Sequence, residues 1–211
     1  MYLSKIVLDI RHPSVRQALR DVNDMHRNLM AGFEAQSPQG TARADQQVLY
    51  RLFSGREQVY LLVSSREMPN LNKLAARGFH TEPALIRDIS PLKEVFREGT
   101  CFRFELLASP CKKVGGADNN SRRVFLDTPE ARVEWLRRKA EQGGFEILFA
   151  DEMANRVDAC GHRDAMTIKN SGAVYSGVLR VTNASAFWKS YTCGIGPGKA
   201  SGMGMLNLSK A

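Results

Sequence analysis

His26 is the side chain in this sequence best suited to moving a proton. It stands one helical turn after Val22 and one before Leu29 and Met30, at the edge of an apolar helical face. Imidazole alone among ordinary side chains has an unperturbed pKa near neutrality, so it can take or give a proton at phosphate chemistry. The same spacing also suits a structural or a solvent-facing histidine. Asn23, one turn earlier, carries an amide that can orient a phosphate or the histidine but cannot transfer a proton. Arg27, beside His26, offers a charge either to a phosphate or to water. Lys169 reads, on its own, as an ordinary exposed strand lysine.

A second unusual stretch is Gly194–Leu206, GIGPGKASGMGML, in which five of 13 residues are glycine and Lys199 sits near the centre. Glycines let a backbone approach another backbone or a phosphate without a Cβ, and they tolerate positive φ. Gly196, Gly198 and Lys199 are therefore candidates for gripping an anion. The stretch is not a Walker A loop, because Cys193 and Ala200 stand where that loop needs Gly and Ser or Thr. No G-x-G-x-x-G spacing occurs either, which excludes the dinucleotide fingerprint.

Composition narrows the partners. The 211 residues carry a formal net charge of +8, which points to an anionic partner, with nucleic acid first and an acidic protein second. No run of residues is long and apolar enough to span a membrane, and the chain opens on a strand rather than a signal peptide, so a cytoplasmic protein is expected. The four cysteines lack CxxC pairing, and Cys160-Gly161-His162 is one possible ligand pair with no second. No metal and no cofactor is expected. His12, His80 and His162 stand in no motif and receive no role.

These residues must be held by regular elements. Alternation predicts a strand over residues 2–10, with Tyr2, Ile6, Leu8 and Ile10 on one face. Pro13 opens one long helix, ending near Ser37-Pro38-Gln39-Gly40. Strands at Val48–Phe53 and Gln58–Ser64, a short helix from Pro69 and an extended stretch at Ala84–Ile89 complete a βαββαβ unit. Pro91–Gly99 reads as a linker. Beyond it come a strand at Cys101–Leu107, a polar basic loop at Lys112–Arg123, and a helix from Thr128-Pro129 packed through Val133, Leu136 and Ala140. Strands follow at Phe145–Phe149, Ala165–Lys169 and Val174–Thr182, the last two joined by a turn at Asn170-Ser171-Gly172. A helix capped by Asn183 and a final strand at Met203–Leu208 close the second unit. The expected fold is α+β, two tandem ferredoxin-like domains over residues 1–90 and 98–211.

The glycine-rich stretch resembles the C-terminal signature of the RAMP superfamily of CRISPR proteins. Together with the opening Met1-Tyr2-Leu3-Ser4-Lys5 and Met25-His26-Arg27, it resembles the CasE family, the CRISPR-repeat endoribonucleases of type I-E Cascade complexes, over nearly the whole chain. The resemblance implies two ferredoxin-like domains, His26 in catalysis with Asn23 and Lys169 nearby, and metal-independent cutting of precursor RNA within repeat hairpins. It further implies that the 2′-hydroxyl attacks the adjacent phosphorus, with products expected to end in a 2′,3′-cyclic phosphate and a 5′-hydroxyl. The mature RNA is expected to stay bound in an assembly with the other Cascade subunits, and the protein to be monomeric outside it.

Two positions depart from the family pattern. Family members can carry tyrosine where this chain has Asn23, and they often end the strand after the linker in Arg-Ala-Asn-Pro where it reads Leu107-Ala108-Ser109-Pro110. Lys112 and Lys113 just beyond offer replacement charge. Further phosphate candidates are Arg122 and Arg123 in the basic loop and Arg132, Arg137, Arg138 and Lys139 on the following helix, with a solvated charged face as the alternative. The Asn23 and Leu107 departures keep open a second function, a non-catalytic subunit that binds the RNA hairpin. A generic RNA-recognition module is weaker, because no K/R-G-F-G-F-V-like strand is present.

Overall fold

Alternation at the start of the chain becomes strand β1 (Tyr2–Leu8), with Ser4, Ile6 and Leu8 buried. Ile10 lies past its end and is exposed. The computed structural model describes residues 1–34, 46–115, 122–163 and 166–211, which divide into two compact units. The first holds Met1–Val95, Ala159–Lys169 and Lys199–Gly202. The second holds Phe96–Asp158, Asn170–Gly198 and Met203–Ala211.

The single long helix expected from Pro13 is two helices, α1 (Pro13–Arg20) and α2 (Val22–Met30). Asp21 makes the break. Its backbone is extended, and its carboxylate accepts from the amides of Asn23 at 2.8 Å and Asp24 at 3.4 Å. A short acidic side chain that captures amides two and three residues on starts a new helix. The predicted helix end at residues 37–40 lies outside the described residues.

Strands β2 (Leu49–Ser54) and β3 (Val59–Ser65), helix α3 (Leu71–Ala75) and strand β4 (Phe79–Asp88) follow. Their sheet runs β2-β3-β1-β4, antiparallel throughout. Ile6, Val15, Ala18, Met25, Leu29, Tyr50, Leu61, Leu74 and Phe79 form its core with α1 and α2. Met25 and Leu29 turn inward on α2, which leaves His26 half-buried between those two positions.

The expected linker contains a short helix, α4 (Leu92–Val95), and the buried ring of Phe96, edge-on to Phe102 and Phe187. Strand β5 (Cys101–Ala108) buries Phe102, Phe104 and Leu106 as alternation predicts. The two ends of the expected basic loop are paired strands, β6 (Cys111–Val114) with β7 (Arg122–Phe125). Residues 116–121, with Asn119-Asn120, lie outside the described residues. Helix α5 (Pro129–Gln142), capped by Thr128, packs through Arg132, Trp135, Leu136 and Ala140, with Val133 only half-buried.

Strands β8 (Phe145–Arg163) and β9 (Met166–Val181) replace the three short strands expected here. No turn interrupts β9 at Asn170-Ser171-Gly172. Ser109 Oγ donates to the Ser171 carbonyl at 2.7 Å, and Ser171 Oγ donates to Asp158 at 2.6 Å, so cross-strand bonds hold the segment extended. Helix α6 (Ala184–Cys193), a 3₁₀ turn (Lys199–Ser201) and strand β10 (Leu206–Lys210) end the chain. The second sheet runs β10-β5-β9-β8. Among the described residues no helix is long and apolar enough to cross a membrane.

Candidate active site

Helix α2 carries two of the candidate residues, Asn23 and His26. They lie three residues apart on it, so their side chains rise from one face, about 5–6 Å between Cβ atoms. Two segments from the far end of the chain come to this helix. One is the 3₁₀ turn that begins with Lys199. The other is the Ala159–Arg163 end of β8.

The contact with β8 is built atom by atom. Asn23 Nδ2 donates to the His162 carbonyl at 3.1 Å. The Asp21 carboxylate accepts from the His162 amide at 2.8 Å and lies 3.0 Å from His162 Nδ1. Gly161 makes the approach feasible, since a Cβ there would lie 2.7 Å from Asn23 Nδ2 and 2.9 Å from Asp21 Oδ1. Burial pushes the Asp21 carboxyl up, but hydrogen bonds from the His162 ring and amide and from the Asn23 and Asp24 amides outweigh it and hold the group below the usual carboxylate range. The sequence reading missed Asp21 and His162. The usable signal was a glycine beside a histidine, in a sequence where Cys160 and His162 form a possible ligand pair with no second and no metal is expected.

The glycine stretch adopts the backbone its composition demands. Gly194, Gly196, Gly198, Gly202 and Gly204 all have positive φ. Gly202 is held close in the first unit, because its Cβ would lie 3.0 Å from the Tyr50 ring. Tyr50 is buried, and its hydroxyl donates to the Ala200 carbonyl at 2.7 Å, fixing the turn that presents Lys199. In the second unit, a Cβ on Gly196 would lie 2.8 Å from the Trp135 ring, and one on Gly198 would lie 3.0 Å from the Met203 sulfur.

A model of the family described as CRISPR associated protein matches residues 1–210. The chain belongs to this CRISPR-associated protein family. Within it the chain is a CasE-family protein, in line with the glycine stretch and Met25-His26-Arg27. The CRISPR-associated endoribonuclease Cse3 of Thermus thermophilus is 27% identical over 224 residues, spanning 99% of this chain and 100% of that one. A solved structure of CRISPR endoribonuclease Cse3 bound to 19 nt RNA superposes with a TM-score of 0.81 at 26% identity, covering 99% of this chain and 100% of the other. A chain of a CRISPR RNA-guided surveillance complex, pre-nicking, gives 0.75 at 27% identity with both chains fully covered.

The remaining candidates of this CRISPR-associated protein fall into distinct environments. Lys169 is exposed on β9, within the stretch that belongs to the first unit. Arg27 is exposed, and its Nη1 donates to Asp24 Oδ1 at 2.6 Å. In the second unit Lys112, Lys113, Arg122 and Arg123 are all exposed on one hairpin, and Lys113 pairs directly opposite Arg123. Like charges directly opposed across two strands repel one another. Arg137 and Arg138 are exposed on α5, and Lys139 is half-buried with Nζ donating to Gln142.

Arg132 corrects the sequence reading. It is 3% exposed, donates from Nε and Nη2 to the Glu152 carboxylate at 2.7 and 3.3 Å, and donates from Nη1 to the carbonyls of Leu126 and Asp127. A guanidinium so enclosed organises the unit's interior and is not presented to a phosphate. Leu107 and Ser109, at the family-departure positions, are also buried in the second unit.

Proposed function

We propose that this protein is a metal-independent endoribonuclease that cuts CRISPR precursor RNA within repeat hairpins and remains bound to the mature RNA as a Cascade subunit in the cytoplasm. The observation that carries the reading is the position of His26. It is half-buried on helix α2, which lies against the Lys199 turn and is bonded through Asn23 to the end of β8. His26 takes or gives a proton as the 2′-oxygen attacks phosphorus, and Lys199 and Arg27 lend positive charge to the phosphorane. Asn23, held to the His162 carbonyl, orients the site and Lys169 supplies charge beside it. Exposed cations on β6, β7 and α5 grip the hairpin by its phosphates and shape.

The architecture that goes with this reading is two tandem ferredoxin-like domains, residues 1–90 and 98–211. The strand orders β2-β3-β1-β4 and β10-β5-β9-β8, each built from a β-α-β-β-α-β succession once α1 and α2 are counted together and the β6–β7 hairpin and the short α4 are set aside, support it. Outside the complex the protein is a monomer.

A second reading, a hairpin-binding subunit that does not cut, is favoured by the engagement of Asn23 in a backbone contact where relatives can place a phenol. The test is incubation of the purified protein with its cognate repeat RNA in EDTA. Cleavage to a 2′,3′-cyclic phosphate and a 5′-hydroxyl is expected, and tight binding of intact RNA would establish the second reading.

A further inference from the structure

We propose that His162 is the second proton-transfer group of this site and acts as the base toward the 2′-hydroxyl. The inference rests on the endoribonuclease reading and fills the role that Asn23 cannot. His162 Nδ1 faces the Asp21 carboxylate at 3.0 Å. A carboxylate held ionised only accepts, so the imidazole nitrogen beside it carries the hydrogen, and in the neutral ring the lone pair lies on Nε2. The His162 side chain is 68% exposed while that of Asp21 is 14% exposed, so the carboxylate is shielded and the working edge of the ring is open to a substrate.

The placement is specific. The His162 amide and carbonyl are bonded to Asp21, the cap of α2, and to Asn23 within it, and Gly161 is packed too closely for any side chain. The ring is thereby fixed to the first turn of the helix that carries His26 one turn further on. A carboxylate bonded to one ring nitrogen fixes the orientation and the tautomer of the imidazole, leaving the other nitrogen as the acceptor. In the reaction, Nε2 of His162 takes the 2′-hydroxyl proton as O2′ bonds to phosphorus. The P–O5′ bond breaks, and O5′ leaves with a proton delivered by protonated His26. One proton is taken and one is given, so the step balances.

The test is single-turnover cleavage of the cognate repeat hairpin RNA by the full chain at saturating protein. His162→Asn keeps a donor toward Asp21 and both backbone bonds but has no nitrogen at the Nε2 position. The expected result is an unchanged melting temperature, a dissociation constant within a few-fold, and cleavage slower by about 10²-fold or more. A purely structural histidine would be replaced successfully by asparagine, so cleavage within about threefold of wild type overturns the inference. If the variant melts early or binds poorly, the decision passes to His162→Ala supplied with free imidazole. Restored cleavage supports the role, and no restoration overturns it. Wild type cutting with a slow His26→Ala and a fast His162→Asn removes this inference alone. Wild type that never cuts removes the endoribonuclease reading and this inference with it.

Discussion

Tyr50 and Ala200, 150 positions apart, are joined by a 2.7 Å hydrogen bond from the phenol to the carbonyl. The bond ties a core strand to the turn that carries Lys199. Burial pushes the Tyr50 phenol well above its ordinary value of 10.0. A folded-state pKa above the unfolded one gives stability that is complete below about pH 10 and is lost as pH rises beyond it. Tyr50→Phe removes the bond and this ionisation together. It should cost about 1 kcal/mol at neutral pH and flatten the alkaline loss of stability, as read by urea unfolding at a series of pH values.

The Lys113–Arg123 pair makes a prediction of opposite sign for binding and for stability. Replacing both with Ala should flatten the log–log salt dependence of hairpin-RNA binding by roughly one unit for each phosphate that is no longer neutralised. Relief of cross-strand repulsion should leave the melting temperature unchanged or higher. An unaltered salt slope returns both residues to a solvated face.

Arg132→Ala should behave in the reverse manner. It strands Glu152, whose side chain is only 11% exposed, so the expected loss of stability is about 3–5 kcal/mol. The salt slope of RNA binding should stay as in wild type, because this guanidinium meets no phosphate. Chemical denaturation and a salt titration on the same variant decide both points.

His26→Ala should lower single-turnover cleavage of cognate repeat RNA by about 10²-fold or more while the dissociation constant stays within a few-fold. Proton transfer acts in the transition state, whereas affinity comes from many phosphate contacts. EDTA should alter neither quantity. A variant that cuts at the wild-type rate would place the chemistry elsewhere.

The features legible in the sequence are those set by local sterics or by simple alternation. Five glycines in one stretch announce positive φ because other residues adopt it at a penalty, and all five have it. Phe102, Phe104 and Leu106 announce a half-buried strand in the same way. Side-chain bonds stayed hidden, whether local or between distant segments. Asp21 divides a helical pattern because its carboxylate captures the amides just after it, a choice that apolar spacing does not record. Asn170-Ser171-Gly172 has turn chemistry yet lies within a strand, because Ser109, 62 positions earlier, bonds to it. Arg132 counts as surface charge until Glu152 is brought opposite, and His162 has no assignable role until Asp21 is.

The first unit draws Ala159–Lys169 and Lys199–Gly202 from late in the chain. Synthesis runs from the N-terminus, so His26 emerges early, but the strand end and the lysine turn that fasten to its helix emerge more than 130 positions later. A nascent chain paused anywhere before Gly202 holds a histidine without its full surroundings. Any fragment that ends before Ala159 therefore carries the histidine with neither late segment in place.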